Sequence, residues 1–284
     1  MKRKIKYLIA QILSYINIGK LLVFLFPKKA EKLSKKGMTL IINNNLSISE
    51  CLMREAIFKK TKRKSDVETL ARLHSNYWVN QGHDFFSATN NRLENVVLPE
   101  FTFIFDLLEK ELTKTPNQFN TLVEIGTGNG KVLEYLSSKL PQLDRFVGID
   151  LSQVQTDNNK DNYKNNPKLE FVASDALDWV NNHGHSNMIV LTFNGVLEYF
   201  TEKHVQQLFN NLNGLGKIIF VAIEPKSIEH DFQAHPNSKI YGFESSFSHN
   251  YPKLFENAGF NLWHKSQKDF HSNEYVISFI GAKN

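Results

Sequence analysis

Three carboxylates and a run of alternating glycines are the residues of this 284-residue chain whose types and spacing suggest chemistry. Gly126, Gly128 and Gly130 alternate with Thr127 and Asn129, and Glu124 lies two positions before the first glycine. Glycines in that pattern allow positive φ and let a ligand approach the backbone, while helix-start amides face whatever is bound. Asp150 follows the last glycine after an interval of about 20 residues, where doubly wound folds hold a ribose with an acidic side chain. A carboxylate suits a diol because it accepts from two adjacent hydroxyls at once. Asp175 ends a later apolar run, and as a residue type it reads first as a helix N-cap. Asn194-Gly-Val-Leu-Glu-Tyr-Phe adds an amide, a carboxylate at Glu198 and a phenol at Tyr199.

These groups need a strand-and-helix frame. Leu122, Val123 and Ile125 form a buried-strand run, and Val132, Leu133 and Leu136 have helical spacing directly after the glycines. Further strands are expected at 144–150, 169–175, 188–193 and 216–223, with helices between them. Leu151 and Ser152 open the helix after the second strand, and Ala176 the one after the third. Alternation of this kind calls for a parallel sheet, and two final strands near 260–264 and 275–280, without a helical crossover, suggest an antiparallel edge. Helices are expected over 47–64, 66–80, 91–112, 202–212 and 251–258. The long polar segment 224–250 has the character of an insertion that shapes a pocket.

The Glu-x-Gly-x-Gly-x-Gly pattern, in which Lys131 occupies the place of the third glycine of the dinucleotide fingerprint, resembles the first motif of class I S-adenosylmethionine-dependent methyltransferases. The resemblance covers residues 118–282. It implies an α/β fold, a Rossmann-like seven-stranded sheet, mostly parallel with an antiparallel last strand, preceded by a helical N-terminal extension. It implies S-adenosyl-L-methionine as cofactor, held by Glu124, Gly126, Thr127, Gly128, Gly130, Asp150, Leu151, Asp175, Ala176 and Asn194. In that family the acid of the first motif faces the methionine amino group. The acid after the third strand meets the adenine amine, with the next backbone amide on a ring nitrogen. Glu198 and Tyr199 then lie beside the expected methyl position, and with His83 they are the candidate catalytic groups. The aromatic stretch 77–86, with Trp78, His83, Phe85 and Phe86, is either a lid over cofactor and substrate or an aromatic core anchor with His83 in an exposed turn. No metal is called for.

Composition narrows the partners. One cysteine, Cys51, excludes an internal disulfide framework and fits a reducing compartment, in keeping with a cytoplasmic location. Residues 1–36 carry ten Lys and Arg against Glu31 alone, so the overall charge of +5 leaves −4 for the rest of the chain. The body therefore offers no general footprint for nucleic acid. The domain organisation expected is a basic amphipathic segment over 1–36, a helical cap region over 37–117 and the methyltransferase domain over 118–284. Ile5, Leu8, Ile9, Ile12, Leu13 and Ile16 give the first segment an apolar face. Gln11, Asn17 and Lys20 interrupt the roughly 20 apolar residues that a span requires. Two readings of that segment stay open: a peripheral helix on an anionic membrane surface, or a helical cap on the protein itself. The expected acceptor is a small molecule or a lipid- or glycan-linked compound. An NAD(P)-dependent oxidoreductase and a non-catalytic methyltransferase-like binding module are the competing functions.

Overall fold

The computed structural model describes residues 17–39, 46–89, 91–269 and 274–284. The amphipathic pattern over residues 1–16 lies outside the described residues. The chain divides into two compact units, Met1–Ala88 with Phe243–Ser245, and Thr89–Gly242 with Ser246–Asn284.

The first unit is helical: α1 (Ile18–Leu25), α2 (Pro27–Lys36), α3 (Ile48–Arg63) and α4 (Val67–Ala88). Pro27 opens α2, where its missing N–H costs nothing. Ser47 and Glu50 form a reciprocal capping box at the start of α3. Arg54, almost fully buried, is neutralised locally: Nε donates to Met38 O (2.7 Å), Nη2 to Thr39 O (3.1 Å) and Nη1 to Glu55 (2.7 Å). The aromatic stretch 77–86 is part of α4. Trp78 packs edge-on to Tyr77 and Phe85 and stacks with Phe86, so these rings associate along one helix, and His83 is helical too.

The second unit carries the sheet. Strands β1 (Thr121–Ile125), β2 (Arg145–Asp150), β3 (Leu169–Ala173), β4 (Met188–Phe193) and β5 (Ile218–Ser227) are parallel, and β6 (Lys239–Tyr241) pairs with β7 (Ser246–Ser248) as a separate ribbon. With β8 (Asn261–Asp269) and β9 (Tyr275–Lys283), the sheet order is β3-β2-β1-β4-β5-β9-β8. The last strand in sequence, β9, is antiparallel to both neighbours, so it lies inside the sheet and β8 forms the edge. Helices α5 (Leu98–Thr113), α6 (Lys131–Lys139), α7 (Gln153–Asn162), α8 (Ala176–His183), α9 (Glu202–Gly214) and α10 (Tyr251–Asn257) complete the unit. A π-helical turn, Leu93–Val97, leads into α5.

Both faces of the sheet are covered, which is why its strands read as continuous apolar runs. Val123 and Ile125 join a core with Trp179, Phe209, Phe220 and Phe255. Leu122, on the opposite face, packs with Phe105, Leu133 and Leu136. Strand β5 runs on through Glu224, Pro225 and Lys226, beyond its apolar run, because β9 pairs with it along its whole length. The expected insertion accordingly shrinks to the segment after Ser227.

Phe209 stacks on Phe255 at 3.9 Å between ring centroids, and both are fully buried. Phe209→Ala is expected to cost about 3–5 kcal/mol of stability, measured by urea unfolding. The change at half-exposed Val154, Val154→Ala, is expected to stay within about 0.5 kcal/mol.

Candidate cofactor and active site

The site starts where β1 and β2 end. In this parallel pair Glu124 lies opposite Gly148. A Cβ at Gly148 would come within 2.8 Å of Thr127 Oγ1, so the glycine makes room for the Thr127 side chain. Thr127 Oγ1 in turn donates to Glu124 Oε2 at 2.7 Å. Glu124 is 2% exposed, and burial, with Asp150 adding to it, pushes its carboxyl up to about 8. Asp150 is nearly as buried. Its Oδ2 accepts from Gly128 N (3.0 Å) and its Oδ1 from Ser152 N (2.9 Å), yet burial still raises its pKa. Among the described residues, neither acid forms an ion pair with Lys or Arg.

The glycine-rich turn differs from a phosphate cradle. Gly126 N and Thr127 N both donate to Ile149 O (2.8 and 3.0 Å), Gly128 N to Asp150, and Gly130 N to Thr127 O (3.0 Å). Four amides of the turn are thus engaged within the protein. The glycines serve shape: Gly126 has φ +73°, and a Cβ there would meet Val196 at 2.6 Å. Asn159 Nδ2 locks the turn by donating to Gly128 O (2.7 Å), and Tyr163 OH by donating to Asn129 O (2.9 Å).

Asp175 does cap α8, accepting on Oδ1 from Leu177 N (2.8 Å) and Asp178 N (3.3 Å). It is exposed, and Oδ2 makes no hydrogen bond among the described residues. Ser174 N donates to Asp150 O (3.0 Å), which ties the end of β3, just before Asp175, to the end of β2. Leu151 is partly buried beside Asp150, and Ala176 is buried at the first position of α8.

The loop after β4 is held from below by a residue that pattern reading passed over. Glu224, fully buried in β5, accepts on Oε2 from Val196 N (3.0 Å) and Leu197 N (3.1 Å), while Oε1 has no partner. Burial pushes its carboxyl up to about 7. The available signal was an acid directly continuing the apolar run Ile218–Ile223. Asn194 and Gly195 both take positive φ, 59° and 99°. Glu198 is buried and accepts from Tyr241 OH (2.8 Å), and Tyr199 ends a short 3₁₀ turn, Leu197–Tyr199. His83 belongs to the helical unit, with Nε2 3.2 Å from Asp84. With its amide oxygen oriented toward Arg92, Asn194 accepts from Arg92 Nε (3.3 Å) and Nη2.

The turn and the β4 loop therefore meet through Gly126 and Val196, with two uncompensated carboxyls beside them. A ligand suited to this surface carries a cation and hydroxyls. S-adenosylmethionine has an ammonium, a sulfonium and a ribose diol, and so fits; Glu124 and Asp150 are the groups able to hold it.

The "Methyltransferase domain" family matches residues 122–217. Among solved structures, the CurJ carbon methyltransferase is similar, at 14% identity over 84% of this chain and 71% of that one, with a TM-score of 0.53. The N-methyltransferase NodS from Bradyrhizobium japonicum WM9, in complex with S-adenosylhomocysteine, shares 15% identity over 65% of this chain and 87% of its own, with a TM-score of 0.47. Magnesium protoporphyrin IX methyltransferase from Synechocystis PCC 6803, with bound S-adenosylhomocysteine, shares 15% identity over 71% and 97%, again with a TM-score of 0.47. No curated protein matches the chain. Motif, strand order and domain match together identify residues 122–217 as a class I S-adenosylmethionine-dependent methyltransferase domain.

Proposed function

We propose that the protein methylates a small-molecule or a lipid- or glycan-linked acceptor at a cytoplasmic membrane surface. When bound, S-adenosylmethionine supplies a methyl group on sulfur that passes to the acceptor by direct displacement. The observation that carries the reading is the pair of buried carboxyls, Glu124 and Asp150, left without a cation under a turn whose amides are spent. Glu124 would take the amino group, Asp150 the ribose hydroxyls, and Asp175 with the Ala176 amide the adenine edge. Gly126, Thr127, Gly128, Gly130 and Leu151 shape the wall, and Asn194 borders the methyl end. The chain's part in the reaction is alignment and exclusion of water. For a hydroxyl acceptor a base must take the proton. Glu198, poised by Tyr241 beside the β4 loop, is favoured over Tyr199, and His83 is supported by residue type alone. Engaged turn amides and two acids disfavour a pyrophosphate, hence the NAD(P) reading. Buried acids held at a cost disfavour a non-catalytic module. Functionally the chain would divide as 1–36, 37–117 and 118–284.

Membrane contact is supported by α1 and the residues after it. Leu21, Phe24, Leu25 and Phe26 are all more than half exposed, and Lys20, Lys28, Lys32 and Lys36 beside them are exposed as well. Among the described residues no helix is long and apolar enough to cross a membrane. Bulky apolar side chains next to lysines suit an anionic leaflet surface.

Calorimetric titration with S-adenosylhomocysteine tests the cofactor assignment. Asp150→Ala is expected to weaken binding about 10- to 100-fold, the loss of a charged hydrogen-bond acceptor. Absence of binding by the folded wild type would defeat the methyltransferase site.

A raised carboxyl favours the folded state below its ordinary pKa and loses that contribution as pH climbs through the raised value. For Glu124 stability should therefore fall toward pH about 8, and Glu124→Gln should flatten the profile. An ammonium beside Glu124 restores its ionised form, so ligand binding at neutral pH should release a proton and tighten as pH rises toward about 8. Calorimetry in buffers of differing ionisation enthalpy reads this directly, and a pH-independent affinity would remove Glu124 from the amino-group role.

Co-sedimentation with vesicles containing phosphatidylserine tests the surface. Wild type is expected in the pellet at low salt, and a protein carrying Phe24→Ser and Leu25→Ser in the supernatant, with its S-adenosylhomocysteine affinity unchanged.

A further inference from the structure

Arg92 stands out among the cations of the sheet unit. It precedes the π-helical turn Leu93–Val97 and is partly buried. Its backbone N–H donates to Thr89 O (3.0 Å), and the Asn194 amide oxygen takes Nε and Nη2. No carboxylate of the described residues pairs with it: Glu94, two positions away, is engaged by Lys131 at 3.2 Å. The charged-form partners that face it are the hydroxyls of Tyr199 and Tyr275, and burial lowers its pKa. Arg145, the other arginine of the unit, is answered by Glu170 (2.7 Å), and Lys139 and Lys283 by Asp106 (2.6 Å) and Glu111 (2.6 Å).

A partly desolvated guanidinium without a counter-ion is costly unless a ligand supplies one. Of its five N–H donors, one on Nε and one on Nη2 are taken by Asn194, which leaves three. Through the same contact Arg92 is fixed to the residue that opens the β4 loop. π-Turns widen a helix locally and recur at functional sites.

Resting on the methyltransferase reading, we propose that Arg92 is the anion socket of the methyl acceptor, engaging a carboxylate or phosphate group of that substrate with Asn194 as its positioning residue. The cofactor has a carboxylate as well, but it shares one carbon with the amino group expected at Glu124. The titratable side chains beside Arg92 are the phenols of Tyr199 and Tyr275. The contact with Asn194 at the mouth of the β4 loop, where the methyl end is expected, favours the second substrate. Tyr199 and Tyr275 would flank the bound anion. A forked guanidinium holds such an oxyanion through two parallel bonds, which a lysine cannot reproduce.

The test saturates the full-length protein with S-adenosylhomocysteine and titrates benzoate, phenyl phosphate and the neutral isostere benzamide by calorimetry. Wild type is expected to bind one of the anions at least ten times more tightly than benzamide. Arg92→Gln should abolish the preference, Arg92→Lys should retain part of it, and S-adenosylhomocysteine affinity should stay within twofold in both. Circular dichroism establishes that each variant is folded, and the wild-type comparison of anion with amide stands without any variant. Equal binding of anion and amide, or no anion binding by the wild type, overturns the proposal. A tenfold loss of S-adenosylhomocysteine affinity in Arg92→Gln with the anion preference intact also overturns it, because Arg92 would then hold the cofactor. Failure of the wild type to bind S-adenosylhomocysteine at all would instead defeat the methyltransferase site itself.

Discussion

Two carboxyls buried side by side at the ends of adjacent parallel strands are the constraint around which the sheet unit is arranged. Removing a carboxylate from water costs several kcal/mol unless hydrogen bonds or an opposite charge offset it, and each acid here is offset only in part. Glu124 has one hydroxyl, from Thr127, and that hydroxyl fits only because Gly148 on the neighbouring strand lacks a side chain. Asp150 has the amides of Gly128 and Ser152, which brings the glycine turn down onto β2. The residual cost is visible in the raised pKa of both groups. A fold that retains such a pair leaves free energy to be recovered by a cationic ligand.

Glu224 is a third buried acid with a different outcome. Two loop amides point at one of its oxygens, so its charge is spent on holding Val196 and Leu197 in place. Val196 then fills the space beside Gly126 that any side chain there would take. The turn after β1 and the loop after β4 are thereby fixed against each other by one carboxylate and one missing methyl. The order β3-β2-β1-β4-β5 makes β1 and β4 direct neighbours, so this interlock needs no long connection.

Most of this frame was legible in the sequence, for identifiable reasons. Strands covered on both faces show as unbroken apolar runs, and glycines in alternation mark a turn whatever binds there. The reading of Asp175 as an N-cap held because capping is a local event between a residue and the next two or three amides. Non-local pairings were hidden. Nothing in Glu224-Pro-Lys announces that β9 returns to pair with it, so the strand appeared to end before the acid. The helix expected over 66–80 stops short of His83, Phe85 and Phe86 because the mixture of aromatic and polar residues there blurs helical periodicity, although the rings pack along α4. Arg92 was silent, since a lone arginine in a polar segment acquires meaning only when its surroundings are found to lack an acid.

The engaged amides of the turn bear on chemistry more than the glycines do. A glycine-rich turn is shared by folds that bind dinucleotides and folds that bind a sulfonium nucleoside, and the two ligands differ most in charge. A pyrophosphate demands N–H groups pointing outward. Here the N–H groups of Gly126, Thr127, Gly128 and Gly130 point into the protein's own acceptors, and one of those acceptors is itself an acid. Using the amides in this way stiffens the turn and, among the described residues, leaves Glu124 with no backbone donor. The same spacing that would serve an anion in a dinucleotide enzyme thus suits a cation in this one, and the difference lies in where four hydrogen bonds go.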